Sequence, residues 1–256
     1  MEKTIILYFS GTGNTRHAAE TLQKSLANAD VDKIIGYDYA KLDAYTTFVF
    51  CYPVYALGMP LAVQTWLANL PELKNKKVCL LATLANKYHL GWALSDAEKI
   101  LSRKNYKVSN AAVLVMPSNF TIFSKTCSAE QAQRLIEMAG KTIAKLAKDI
   151  AAGRPSVRVK NSPFFMKPVY RLMYHFFRKQ ILPKWWKYFK VSDKCTSCNL
   201  CANSCPVKSI TMENGKPVWH AGCQQCYLCF NICPVRAITQ LDSIGRGSKR
   251  DRYLFK

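Results

Sequence analysis

A doubled cysteine pattern constrains this chain more than any other feature of its sequence. Eight of the 11 cysteines lie between residues 195 and 233, in two runs of the pattern C-x2-C-x2-C-x3-C-P. The first run consists of Cys195, Cys198, Cys201 and Cys205, and the second of Cys223, Cys226, Cys229 and Cys233. Such crowding has a local cause, because secreted disulfide scaffolds are short and do not repeat one tight spacing twice.

Each run suits a cubane iron-sulfur cluster better than a zinc ion. A 4Fe-4S cubane needs four thiolates, and the short spacing lets three of them come from one loop that curls around one face of the cube. Zinc sites also use C-x2-C pairs, but they usually present two pairs and not a triplet followed by Cys-Pro. We therefore predict cubane clusters, with zinc as the alternative.

The cysteine-rich segment resembles the bacterial-type two-cluster ferredoxins. In that family the fourth thiolate of each cluster comes from the opposite run. The resemblance thus implies two 4Fe-4S clusters that exchange electrons one at a time. One implied ligand set is Cys195, Cys198, Cys201 and Cys233, and the other is Cys223, Cys226, Cys229 and Cys205.

The two runs are halves of an internal repeat about 28 residues long. Behind each Cys-Pro pair we predict a short helix, over residues 207–210 and 235–238, that leads into a strand-like piece over 209–212 and 237–240. Residues 191–256 are accordingly predicted to form a small α+β two-cluster ferredoxin domain.

Residues 1–153 alternate apolar, strand-like runs with amphipathic helical runs, which is typical of a parallel sheet with helices on both faces. Strands are predicted at 4–9, 33–37, 47–52, 77–83 and 111–116, and helices at 15–27, 60–70, 90–103 and 129–152. The prediction is a five-stranded parallel, doubly wound α/β domain.

A loop rich in glycine and hydroxyl groups follows the first predicted strand, directly before a helix. Its residues are Ser10, Gly11, Thr12, Gly13, Asn14 and Thr15. Glycines allow a tight turn, while hydroxyls and amides at a helix amino terminus can cradle a phosphate. The loop lacks the GK[ST] of a Walker motif, which favours a flavin monophosphate over a triphosphate.

This loop has the S/T-x-T-G-x-T form of the flavodoxins, and the domain resembles that family. The resemblance implies FMN at the switch point between the first and third strands. It also implies two loops beside the flavin ring, which we call the ring loops. The first contains Pro53, Val54, Tyr55, Ala56, Leu57 and Gly58, and the second Thr83, Leu84, Ala85, Asn86 and Tyr88.

Tyr55 and Tyr88 are the predicted aromatic neighbours of the flavin ring. The alternative for Tyr55 is that it packs under its own loop. Ser118, Asn119 and Phe120 follow the fifth predicted strand and could close the site.

The whole chain resembles the fused flavodoxin-ferredoxin proteins of anaerobes. That resemblance implies an electron-transfer protein that couples two clusters to an FMN and exchanges low-potential electrons with protein partners. The alternative is an FMN-dependent reductase of a small acceptor, fed by its own ferredoxin domain. We predict no catalytic residues, because no acid/base pair or nucleophile constellation stands out, and a carrier is favoured over an enzyme.

Residues 154–190 form a basic aromatic linker between the two predicted domains. They contain ten aromatic residues and no Asp or Glu. Four prolines interrupt the linker, which predicts short helices and not one long helix. Its apolar side chains could simply pack the domains together; the other interpretations are peripheral membrane contact and docking of an acidic redox partner.

The formal net charge of +21 overstates the charge of the loaded protein, because thiolate-ligated clusters and a flavin phosphate are anionic. A positive surface favours acidic redox partners or anionic lipid, and nucleic acid ranks last because no binding motif accompanies the basic residues. The amino terminus has no leader-like composition and no run is long enough to cross a membrane, so we expect a cytoplasmic protein.

Overall fold

The computed structural model describes residues 2–121, 126–155, 167–240 and 252–255. Residues 156–166 of the predicted linker lie outside the described residues, as do 241–251 of the predicted ferredoxin domain.

Within the described residues, the amino-terminal half contains a five-stranded sheet in the order β2-β1-β3-β4-β5, with every pairing parallel. The strands are β1 (Thr4–Tyr8), β2 (Ala29–Lys33), β3 (Thr47–Pro53), β4 (Lys77–Leu84) and β5 (Val108–Val115). The helices are α1 (Asn14–Lys24), α2 (Leu61–Ala68), α3 (Ala93–Ser102) and α4 (Ala129–Ala151). This strand order is the flavodoxin-like one.

Helices cover both faces of the sheet, as the alternating pattern predicts. One buried cluster joins β-strand residues such as Phe48 and Phe50 to Trp66 of α2 and Leu101 of α3. The other joins the opposite face, including Val49, to residues of α1 and α4. The central strand β3 is buried on both sides, which explains its continuous apolar run.

The second strand is predicted four residues too late. β2 covers Ala29–Lys33, and only one of its positions falls within the predicted strand at 33–37. As an edge strand β2 carries alternating exposed residues such as Asp30 and has no apolar run. The apolar Ile34 that suggested a strand is buried in the core just after β2 ends.

The carboxy-terminal module contains two small antiparallel sheets and two short helices. β6 (Phe189–Val191) pairs with β9 (Ile238–Gln240), and β7 (Ile210–Glu213) pairs with β8 (Lys216–Trp219). The helices α6 (Leu200–Asn203) and α7 (Leu228–Ile232) stand in corresponding positions of the two repeats.

The backbone repeats along with the sequence. Positive φ angles of 56° and 55° occur at Ser197 and Gln225, and of 60° and 57° at Asn199 and Tyr227. These equivalent left-handed turns lie about 28 residues apart, so the two cysteine runs curl in the same way.

The predicted helices at 207–210 and 235–238 are wrong. The short helices come earlier, before the fourth cysteine of each run, and the chain then turns straight into a strand. Backbone N–H groups of Ser209 and Ala237 donate to the sulfurs of Cys205 and Cys233, at 3.4 Å and 3.3 Å. Because these amides point at sulfur, the backbone wraps around the thiol and does not continue as a helix.

The described part of the basic linker contains α5 (Lys167–Phe176), a π-helical turn (Phe177–Ile181) and a 3₁₀ turn (Trp185–Tyr188). The Tyr174 hydroxyl of α5 donates to the Asp96 carboxylate, and the Tyr174 ring lies 5.2 Å from the Trp92 ring. Arg178 donates to the Met59 carbonyl at 2.7 Å. These contacts hold α5 against the α/β domain. Among the described helices, none has the length and apolar character needed to cross a membrane.

Candidate redox site

Four cysteines line one small cavity in the carboxy-terminal module. They are Cys195, Cys198, Cys201 and Cys233, which we call the outer set. Three come from the first run and the fourth from the second run. Cys198 is exposed, and the other three are partly exposed. The cavity is otherwise largely apolar, with residues such as Met212 and Ile238 in its wall.

The remaining cysteines of the two runs form a second, more deeply buried group. This inner set consists of Cys205, Cys223, Cys226 and Cys229. Burial is the main cause that raises the pKa of Cys223 to about 11 and that of Cys226 to about 12, and the nearby Cys205 acts in the same direction. Buried thiols with raised pKa values give up their protons only when a cation compensates the thiolates, as iron does in a cluster.

The two sets together suit cubane clusters in composition and in their division between the runs. Within residues 2–121, 126–155, 167–240 and 252–255, no three His, Cys, Asp or Glu side chains are placed to hold a single metal ion.

The predicted phosphate loop lies at the carboxyl end of β1 and leads into α1. Gly13 has a φ of 105°, and its N–H donates to the Ser10 hydroxyl at 3.2 Å. Thr12 is only 3% exposed, and its hydroxyl has no hydrogen-bond partner within the described residues. A buried hydroxyl without a partner at the amino terminus of an 11-residue helix fits a bound phosphate oxygen.

The first ring loop lies beside the phosphate loop. The Val54 N–H donates to the Thr83 carbonyl at 2.8 Å, and Tyr55 pairs with Gly58 across a tight turn. The Tyr55 ring packs edge-on against Phe9, with centroids 6.5 Å apart. The structure thus brings Tyr55 to the edge of the predicted flavin site, where it also packs against its own domain.

The second ring loop divides into a buried and an exposed part. The Thr83 hydroxyl lies 2.7 Å from that of Thr15, so the structure brings Thr83 together with the predicted phosphate loop. Tyr88, by contrast, is 57% exposed and has the Lys87 ammonium 5.2 Å from its ring centroid. Its N–H donates to the Asn86 side chain of the same loop at 3.0 Å, so Tyr88 stands at the exposed end of the second ring loop.

The inner set lies directly against the phosphate loop. A Cβ atom placed on Gly11 would be 2.8 Å from both the Cβ and the carbonyl oxygen of Cys226, and 3.1 Å from the Tyr55 hydroxyl. This close approach is possible only because residue 11 is glycine. It joins the predicted phosphate loop, the first ring loop and a cysteine of the inner set at one point.

Polar side chains that sequence reasoning did not single out hold the module in this position. Gln224 accepts the Ala62 N–H at the start of α2, at 2.9 Å. Asn231 donates to the carbonyl of Asn119, at 3.3 Å, and Asn119 in turn donates to the carbonyl of Cys226, at 3.4 Å. Asn119 thus links the loop after β5 to the carboxy-terminal module.

Residues 252–255 tie the module to the phosphate loop from a second direction. The Tyr253 hydroxyl donates to the Asn14 side chain at 2.7 Å, and its N–H donates to the Asn231 side chain at 2.7 Å. The Phe255 N–H donates to the Thr12 carbonyl at 2.8 Å, and its ring stacks on that of His17. No local sequence pattern marks these residues, because the phosphate-loop partners of Tyr253 and Phe255 lie more than 200 positions away.

One buried side chain of the second cysteine run has no hydrogen-bond partner within the described residues. Gln225 is 7% exposed, and neither polar atom of its amide is hydrogen-bonded within the described part of the chain. Its counterpart in the other repeat, Ser197, donates to the Gly215 carbonyl at 2.6 Å.

Comparisons with known proteins concern the two parts of the chain separately. Residues 187–246 match a family model described as a 4Fe-4S dicluster domain. No curated protein matches the sequence.

Among solved structures, the amino-terminal part is similar to several flavodoxin-like proteins. Flavodoxin 2 from Bacillus cereus is 18% identical, with 59% of this chain and 99% of that chain covered and a TM-score of 0.47. The FMN-bound flavodoxin of Fusobacterium nucleatum is 14% identical, covering 60% and 99%, with a TM-score of 0.44. An azoreductase from Bacillus anthracis is 12% identical, covering 58% and 100%, also at 0.44.

The strand order of the amino-terminal sheet and the match over residues 187–246 together define the architecture. The chain is a flavodoxin-like domain joined to a 4Fe-4S dicluster domain, which is the architecture of an electron-transfer redox protein.

Proposed function

We propose that this protein transfers electrons between two 4Fe-4S clusters, an FMN and external redox proteins. The observation that carries the proposal is the close approach of Cys226 to Gly11, which places a cysteine of the inner set against the predicted phosphate loop. When bound, FMN supplies one- and two-electron chemistry, and each cubane supplies single electrons. The protein contributes the binding groups, their burial and their spacing.

The outer set would hold one cluster and the inner set the other. The shared cavity of Cys195, Cys198, Cys201 and Cys233 supports the first assignment. The mutual influence of the inner thiols on one another's pKa values supports the second.

For FMN, residues 10–15 would hold the phosphate, with Thr12 supplying a buried hydroxyl that has no partner among the described residues. Residues 53–58 and 83–86 would flank the ring system, with Tyr55 beside it. Tyr88 stays a prediction from sequence alone, because it faces solvent in this structure.

Redox partners are expected to present an acidic docking surface and to approach the outer set. Cys198 is exposed there, whereas the inner set faces the α/β domain. The net charge of +21 favours an acidic partner in a salt-dependent encounter. Division of the chain near residues 153 and 191 and a cytoplasmic location remain parts of this proposal.

A reductase of a small acceptor is the second candidate function. Residues 85–89 at the second ring loop are exposed, so this side of the predicted flavin site is open to solvent. The cover provided by Cys226 and by residues 252–255 on the other side favours the carrier.

The first test is anaerobic purification followed by iron, sulfide and released-flavin analysis of one sample. We expect about eight iron atoms and about one FMN per chain. Iron without any flavin, even after incubation with FMN, would make the α/β domain a docking scaffold and overturn the proposal. Zinc in place of iron would overturn the cluster assignment. Turnover with quinones or nitro compounds would favour the reductase.

A further inference from the structure

The exposed side of α5 carries an apolar stripe. Val169, Leu172, Met173 and Phe176 follow the i, i+3, i+4, i+7 spacing that places side chains on one face of a helix. They are 54%, 74%, 40% and 54% exposed. Apolar side chains in such a continuous row on a surface mark an interaction site more often than single exposed ones do.

The orientation of α5 is set by its opposite face. Tyr174 is buried and hydrogen-bonded to Asp96, and Arg178 reaches Met59 and Gln64 of the α/β domain. A Cβ on Gly58 would lie 2.6 Å from the Tyr174 ring and 2.7 Å from the Arg178 guanidinium. The helix therefore cannot rotate to bury the apolar stripe without losing these contacts, including the packing of Tyr174 and Arg178 against the first ring loop.

Basic groups accompany the stripe. Arg171 and His175 of α5 are exposed, as is Lys179 of the π-helical turn that follows it. Tyr188 of the following 3₁₀ turn is 52% exposed, and the Lys187 ammonium lies 5.6 Å from the Trp186 ring centroid. Residues 154–190 contain no Asp or Glu to offset the charges of Arg171, Lys179 and Lys187.

From these observations we propose that α5 lies on an anionic lipid surface, with Val169, Leu172, Met173 and Phe176 inserted among the acyl chains. Interfacial helices combine an apolar face with flanking Lys and Arg and with nearby Trp and Tyr, as α5 and the turn after it do. The exposed apolar side chains can insert among acyl chains, while the basic side chains beside them can pair with anionic headgroups. The proposal concerns the protein surface and does not depend on the identity of the cofactors.

The test is co-sedimentation of the cofactor-loaded protein with vesicles. One set contains phosphatidylcholine alone, and the other contains phosphatidylcholine with phosphatidylglycerol. We expect binding to the anionic vesicles, and weaker binding at high salt. Each apolar side chain that inserts into the bilayer contributes to the free energy of binding. The double variant Leu172→Glu/Phe176→Glu should therefore lower the partition coefficient at least about tenfold. Lys179→Gln, which removes one positive charge, should lower it about fivefold.

Met138→Glu is the matched control, since Met138 is 64% exposed on α4, which covers the opposite face of the sheet from α2 and α3, where Tyr174 and Arg178 are anchored. It should bind as the unaltered protein does. Iron and flavin contents are measured on every variant, so that loss of vesicle binding is distinguished from loss of cofactors.

Three results would overturn the proposal. One is an absence of binding by the unaltered protein. Another is equal binding by the double variant, which would mean a general charge attraction. The third is a dimer in analytical ultracentrifugation that the double variant dissociates, which would make the stripe an interface between two copies of this chain.

Discussion

Cys198 of the outer set is open to solvent, whereas Cys226, which occupies the same position in the second repeat, packs against Gly11 of the phosphate loop. The two repeats share their spacing and their left-handed turns. What separates them is the docking of one half against the flavodoxin-like domain. Two equal ligand patterns can therefore acquire unequal roles from their surroundings. Burial and nearby charge tune the reduction potential of a cluster, while exposure decides which cluster a partner reaches.

Removal of one cysteine from each set is the strongest way to test this contrast. Cys226→Ala and Cys198→Ala should each lower the iron content by about half, since each removes a ligand of a different cluster. Cys226→Ala should also lower the free energy of unfolding by about 3 kcal/mol or more, because the other inner thiols would remain buried without metal. Cys198→Ala should have a smaller effect on stability and should retain flavin.

Iron analysis and denaturant unfolding of both variants under anaerobic conditions would measure these effects. Equal losses of stability and flavin in the two variants would mean that the inner and outer sets do not differ as the structure indicates.

The contact between the inner set and the phosphate loop can be disturbed from the other side. In Gly11→Ala the new methyl group would lie 2.8 Å from Cys226, so the module has to shift. We expect a loss of about 1–3 kcal/mol in the free energy of unfolding, together with weaker flavin retention. Gly140→Ala is the control, since among the described residues nothing lies within 4 Å of its Cβ position in α4.

The control should gain about 0.5–1 kcal/mol, because alanine is the better helix former. Denaturant titration of the purified holo-proteins would measure both changes. If Gly11→Ala is as stable as the unaltered protein, Gly11 and Cys226 are not in close contact in the loaded protein.

Local patterns made much of this architecture predictable. Strands with continuous apolar runs, such as β3, and the loop at residues 10–15 are specified by neighbours in sequence. The predicted position of β2 is wrong because an edge strand needs no apolar run. The apolar Ile34, which suggested a strand, packs in the core just after β2 ends. The helices behind the Cys-Pro pairs are misplaced because backbone amides bond to sulfur there.

The interface between the domains is a different case. Gln224, Asn231 and Tyr253 act across more than 100 positions of sequence, and nothing in their immediate neighbourhood distinguishes them from surface residues. Only tertiary packing reveals that they surround the predicted flavin site.

A hydrogen bond across this interface provides a milder test. Tyr253→Phe removes the hydroxyl that donates to Asn14, whose own amide donates to the Pro117 carbonyl at 2.8 Å. The loss of about 1 kcal/mol should raise the dissociation constant of FMN about fivefold. Tyr188→Phe, at an exposed tyrosine outside the interface, is the control. Titration of flavin fluorescence would measure both, and an unchanged constant in Tyr253→Phe would separate residues 252–255 from flavin binding.

The smallest expected effect concerns Gln225 and its counterpart Ser197. A buried amide without a hydrogen-bond partner is costly, and the Gln225 amide has none within the described residues, so we expect it to donate to a bound cofactor. Gln225→Leu should then lower the midpoint potential of the inner cluster by about 40 mV. This is the equivalent of one hydrogen bond of about 1 kcal/mol that favours the reduced, more negative state.

Ser197→Ala is the control. It should lower the free energy of unfolding by about 1 kcal/mol without moving either potential, because the Ser197 hydroxyl is hydrogen-bonded to the Gly215 carbonyl. Redox titration followed by electron paramagnetic resonance would separate the two clusters. Unchanged potentials with a gain in stability in Gln225→Leu would mean that the amide stays unpaired in the loaded protein, and that the inner and outer halves differ in burial alone.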